Sequence, residues 1–138
     1  MASYNKFNIT VLDLAQKVHN LGSDNLYVML TNTVPVATNT VLSSLTDLST
    51  ANGYTAGGAI AALVTSTQTS GLYTLKLSNV VWTASGAIGP FRYAAIYNQT
   101  ASGKNLIGWW DYGSSVTLAS GDTFTVSFDA TNGVLTLQ

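Results

Sequence analysis

VVWTASGAIGPFRYAAIYNQTASGKNLIGWWDYG, residues 80–113, decides the fold. It holds all three tryptophans (Trp82, Trp109 and Trp110), the sole arginine (Arg92) and Pro90, one of two prolines. Residues 91–98 and 105–112 read as two β-strands joined by a polar loop, 99–104. On the first strand Phe91, Tyr93, Ala95 and Tyr97 share one face, and Arg92, Ala94 and Ile96 share the other. Aromatic side chains bury the largest area per residue, which makes this the core sheet. If Asn98 sits opposite Asn105, Tyr97 meets Leu106, Ile96 meets Ile107, Tyr93 meets Trp110 and Arg92 meets Asp111. A one-residue slip places Arg92 against Trp110 or Tyr112, so the charge match favours the first register. One face then carries Phe91, Tyr93, Tyr97, Leu106, Trp110 and Tyr112 toward the core. The other carries Arg92, Ile96, Ile107, Trp109 and Asp111. From it come four candidate interaction residues: Trp109, Arg92, Asp111 and Ile107.

Downstream, residues 114–118 and 122–128 read as a turn-connected strand pair around Ala119, Ser120 and Gly121. Asn132-Gly133 is a hairpin signal leading into a strand at 134–137. Upstream, Phe7, Ile9 and Val11 alternate with Asn8 and Thr10, which predicts a strand over 5–12. Residues 13–20 fit one or two helical turns or an irregular crossover. LYVMLT, 26–31, is rich in strand formers. Residues 32–58 form a long polar segment with Pro35. Within it Val41, Leu42, Leu45 and Leu48 recur at helical spacing, which predicts a short helix at about 40–49 packed on the sheets. Strands follow at 59–65, 72–77 and 80–83. Many short strands punctuated by Gly, Asn and Ser turns predict one all-β domain over 1–138, a β-sandwich or jelly roll, with at most one short helix.

Only 8% of the residues are charged and the net charge is −1, against about 25% charged in an ordinary soluble domain. Four lysines and one arginine, scattered along the chain, cannot neutralise a run of phosphates, so nucleic acid is not an expected partner. No membrane association is expected: the longest nearly apolar run, 57–64, is too short to span a bilayer. MASYNKFNIT lacks the basic and apolar regions of a secretory signal. The sequons at Asn8 and Asn98 then read as chance matches. A surface of Ser, Thr, Asn and Gly costs little to desolvate beneath a neighbour, which suits a protein living inside an assembly.

The chemistry-bearing residues are sparse. There is no cysteine and no glutamate. His19, the single histidine, has Asp13 and Asp24 near in sequence but no spacing that fixes a catalytic geometry. Its expected role is structural or solvent-facing. The six aspartates show no metal-loop spacing, so no metal and no cofactor is expected. NGYTAGG, 52–58, is glycine-rich but lacks the Lys-Ser/Thr of a phosphate loop. Trp109-Trp110 offers a stacking platform for a sugar if one ring is exposed. Neighbours on a strand point to opposite faces, so core and partner packing is the plainer reading. Catalysis is not expected.

Several strings resemble a family of small structural proteins of tailed bacteriophages: NGYTAGG at 52–58, VVWTASGAIGPFRYAAIYN at 80–98 and LIGWWDYGSSVTL at 106–118. The opening at 4–32 and the close at 121–137 are similar to the same family, so the resemblance covers nearly the whole chain. It implies a virion component, preferably a capsid decoration or cement protein, located on the capsid surface and in the host cytoplasm during assembly. The implied partners are the major capsid protein and the chain itself, with a homotrimer favoured at threefold positions. A tail- or fibre-associated component contacting a glycan or receptor is the alternative. The resemblance carries no catalytic residues.

Overall fold

A computed structural model describes residues 2–138. The elements in order are β1 (Tyr4–Lys6), α1 (Ile9–Ala15), β2 (Leu26–Thr31), a 3-10 turn (Leu42–Ser44), β3 (Ala59–Ala61), β4 (Leu63–Thr69), β5 (Leu72–Leu77), β6 (Val80–Thr83), β7 (Ile88–Asn98), β8 (Leu106–Leu118), β9 (Thr123–Val126) and β10 (Leu135–Leu137). The chain is all-β with one short helix, as its turn spacing predicts. The strands form a five-stranded sheet, β1-β8-β7-β2-β3, a three-stranded sheet, β10-β5-β4, and a two-stranded sheet, β6-β9, all antiparallel.

The five-stranded sheet is covered on both faces, which is why β2 and β7 are buried along nearly their whole length. Val28, Leu30, Ala94, Ile96 and Ile107 enter one core cluster with Leu75, Leu77, Val80, Trp82 and Val126 of the smaller sheets. The opposite face carries Met29, Ala95, Tyr97 and Leu106, which pack with Phe7 and Leu45. Fully burying a side chain of this size contributes roughly 1.5–3 kcal/mol. The arrangement is sandwich-like, and the segment 32–58 packs on both sides of the sheet, with Leu42 and Leu45 on the outer face and Leu48 and Tyr54 in the core between the sheets. That segment is pinned rather than helical. Val41 bridges Asn105 and Asp47 bridges Thr31. The Tyr54 hydroxyl donates to Asp47 Oδ1 at 2.5 Å and accepts from the Leu30 N–H at 3.1 Å. The Asp47 carboxylate also accepts the Gly57 N–H. These extended contacts leave only Leu42–Ser44 helical where a helix at 40–49 was expected.

The strand expected over 5–12 stops at Lys6, and residues 9–15 are helical. Alternation at Phe7, Ile9 and Val11 fits a strand, but Thr10 and Asp13 are the buried residues of the helix, one turn apart. Thr10 Oγ1 donates to the Ile107 carbonyl at 2.8 Å, and Asp13 Oδ2 accepts from Asn105 Nδ2 at 2.8 Å. Two further pairings differ from expectation. Residues 114–118 continue β8 and pair with β7, while β9 pairs with β6, so they do not form a strand pair. Asn132-Gly133 does turn the chain, with the Gly133 N–H donating to the Asp129 carbonyl at 2.9 Å. The strand that follows joins β5 instead of folding back on β9.

Candidate interaction surface

Tyr97 lies opposite Leu106, as the charge-matched register requires, but Ile96 lies opposite Gly108 and Tyr93 opposite Asp111. Ile107 is therefore the extra residue of a β-bulge. Gly108 permits it: a Cβ there would come within 2.2 Å of the Tyr4 ring, which lies over the bulge. A second irregularity follows, where Arg92 alone stands between two pairings while residues 112–115 intervene on β8. Arg92 and Asp111 still meet. Nε donates to Oδ1 at 2.8 Å and Nη2 to Oδ2 at 2.9 Å, a bidentate pair about two-fifths exposed. The Arg92 guanidinium and then the Gly113 N–H hold the Asp111 carboxyl below the usual carboxylate range.

The bulge reassigns the faces. Ile107 is fully buried in the core between the sheets and has no surface to offer a partner, which corrects its reading as an interaction residue. Ile96 is buried in the same cluster, while Tyr97 and Leu106 fall in the other, so the expected core and partner faces do not hold. Trp109 is half-buried against Phe7, with ring centroids 4.5 Å apart. Of the four candidates, Arg92 and Asp111 come together, and Trp109 and Ile107 go to different clusters.

Beside the ion pair is a cleft of about 190 Å³ lined by Arg92, Tyr93, Trp110, Tyr112 and Phe124, among others. Tyr112 is exposed and meets Phe124 edge-on at 5.5 Å. A cleft with aromatic walls and a charged rim can take the apolar face of a sugar ring and bond its hydroxyls.

His19 is buried in a polar cluster. Asn98 Nδ2 lies 3.1 Å from His19 Nδ1 and donates to Asp24 Oδ2 at 2.6 Å. Nδ1 therefore accepts, and a neutral ring carries its proton on Nε2. Nε2 is 3.7 Å from Asp13 Oδ2, too long for a hydrogen bond, and has no hydrogen-bond partner among the described residues. Burial pushes the imidazole below its ordinary 6.5, against the pull of Asp13 and Asp24. The cluster ties the start of the loop after β7 to the crossover after α1. Asn98 Oδ1 also accepts from the Thr100 and Ala101 N–H groups. Among the described residues, no three His, Asp, Glu or Cys side chains are placed to hold a metal ion.

The surface feature that sequence reasoning missed is β3–β4. Residues 59–65 read as one apolar strand. They are two strands broken at Ala62, each at the edge of its sheet. Along β4 only Ser66 is even partly buried, and Ile60, Leu63 and Val64 are exposed. No charged residue occurs between Asp47 and Lys76. That gap was a signal available in the sequence, because exposed edges are ordinarily protected by lysine, proline or short length.

No family model, curated protein or solved structure matches this chain.

Proposed function

We propose that the chain is a structural component of a tailed-phage virion that works by covering and bridging neighbours, without chemistry of its own. Its preferred place is the outside of the capsid, as a decoration or cement protein bound to the major capsid protein. The observation that carries this reading is the surface. Large apolar side chains including Val34, Val36, Ile60, Val64 and Val81 are half or nearly half exposed on a chain with few charges. Such a surface loses little on desolvation and gains from being covered. Resemblance to small phage structural proteins points the same way. Mass spectrometry of purified particles, with a cryo-EM map, tests it. Copies in the hundreds arrayed on the head support decoration; a few copies at the tail would refute it.

The cleft beside Arg92 favours the tail- or fibre-associated reading as the second choice. Trp110, Tyr112 and Phe124 are the ring types that stack on saccharides, and the Arg92–Asp111 pair retains donors and acceptors at the rim. A glycan array with the wild type and Tyr112→Ala separates the two. Binding lost in the variant supports this reading, and an unoccupied array removes it.

A further inference from the structure

We infer that β4 is a twofold self-association edge, on which residues 65–69 of one copy pair antiparallel with residues 65–69 of a second copy about Thr67. The inference does not rest on the virion reading, since it concerns the purified chain.

The outer backbone groups of residues 65–69 find no partner among the described residues; the strand is bonded to β5 alone. The other terminal strands of the sheets, β1, β3, β6, β9 and β10, are only three or four residues long. The outer side of β8 beyond Trp110 is also open, but it carries Asp111, a positive φ at Gly113 and broken pairing with β7. β4 has one irregularity, between Leu63 and Thr65, after which the register with β5 is regular to Thr69. It is thus a regular, uncharged, proline-free edge, the kind that adds a strand.

The occupant is a second copy because the edge matches itself. About Thr67 the opposed residues are Thr65 with Thr69, Ser66 with Gln68, and Thr67 with Thr67. Thr–Thr and Ser–amide pairs are favourable cross-strand neighbours. No like charges oppose each other. The one charge on the neighbouring strand, Lys76, sits beside Thr65 on β5. In the paired arrangement the two Lys76 side chains are three strand spacings and four residues apart, roughly 20 Å at 4.8 Å per strand and 3.4 Å per residue. That exceeds the Debye length of about 8 Å at physiological salt, so they do not repel appreciably. A chain-to-chain contact on a twofold axis is closed and isologous, and it replaces the trimer expected from the sequence.

The test uses the full chain. Light scattering after gel filtration at micromolar concentration should give about twice the 14.5 kDa of one chain. The absence of native cysteine makes a cross-link clean. Thr67→Cys treated with a short bis-maleimide should yield a covalent dimer, and Thr131→Cys, on an exposed turn, should not. Thr67→Lys opposes two charges on the axis and should give a monomer with an unchanged circular dichroism spectrum. Because Thr67 is exposed, the fold tolerates the change. Thr67→Glu, which also opposes two like charges on the axis, repeats the measurement if Thr67→Lys does not express. A monomeric or trimeric wild type, a dimer that survives these charges, or no cross-link at position 67 would overturn the inference.

Discussion

The guanidinium of Arg92 and the carboxylate of Asp111 are joined by two hydrogen bonds, 2.8 and 2.9 Å long, at the place where the β7–β8 ladder loses its register. Ladder bonds are interrupted there, and the ion pair holds the two strands in line. Planar bidentate geometry belongs to arginine, not lysine.

Arg92→Ala should therefore loosen residues 111–116, seen as faster amide exchange and a lower thermal midpoint. Arg92→Lys should recover part of the loss. Lys104→Ala, at the end of the loop ahead of β8, should change less than Arg92→Ala; equal effects would contradict the ion-pair account. Asp111 is held below its ordinary 3.8. A depressed carboxylate contributes stability that is present above the unfolded value and lost as pH falls through the folded one. The gap between wild type and Asp111→Asn should thus be constant above about pH 5 and narrow as pH falls below 3.8.

Ile107 is fully buried. Ile107→Ala should cost about 2–5 kcal/mol in urea unfolding, and Ile107→Val about 0.5–1.5 kcal/mol. A surface-like change below about 0.5 kcal/mol would return the residue to the interaction face.

What was legible in the sequence was local. Leu26–Thr31, Leu72–Leu77 and Val80–Thr83 are strands with the residue limits their patterns predict. Residues 5–12 were not legible, because their alternation has the period of a strand while residues 9–15 are helical. The choice is made by Thr10 and Asp13 bonding to β8 and Asn105, some ninety residues away. Charge matching found the Arg92–Asp111 partnership but not the bulge at Ile107, which depends on Gly108 beneath Tyr4. The turn at Asn132-Gly133 was readable, but the strand that β10 would join was not.

Gly58 and Gly71 both have positive φ, +80° and +85°, but their surroundings differ. A Cβ on Gly71 meets nothing within 4 Å, whereas one on Gly58 would lie 1.8 Å from the Val28 carbonyl oxygen. Gly71→Ala should cost only the conformational term, about 1–2 kcal/mol. Gly58→Ala must also push residues 57–59 away from β2, and should cost more in the same urea titration. Equal costs would mean that Gly58 is not packed against the backbone as described.

His19 sits in a cluster that favours its neutral form. The facing groups are Asp13 on α1, Asp24 ahead of β2 and Asn98 at the end of β7, with Lys17 and Tyr73 lining the neighbouring cleft. Burial is the largest influence and lowers the imidazole below 6.5; the two aspartates oppose it. The sign follows from proton counting. Between the lowered folded value and 6.5, the unfolded chain binds more protons than the folded one, so stability rises with pH and is lost as pH falls through that window. Full stability on this account lies above 6.5. Because the chain has one histidine, its ring C–H resonance is unambiguous, and its NMR midpoint should fall below 6.5. Urea midpoints of the wild type should decline as pH falls below 6.5, and His19→Gln should flatten that slope while lowering stability at neutral pH. An NMR midpoint above 6.5 would show that Asp13 and Asp24 outweigh burial, and the slope would then reverse.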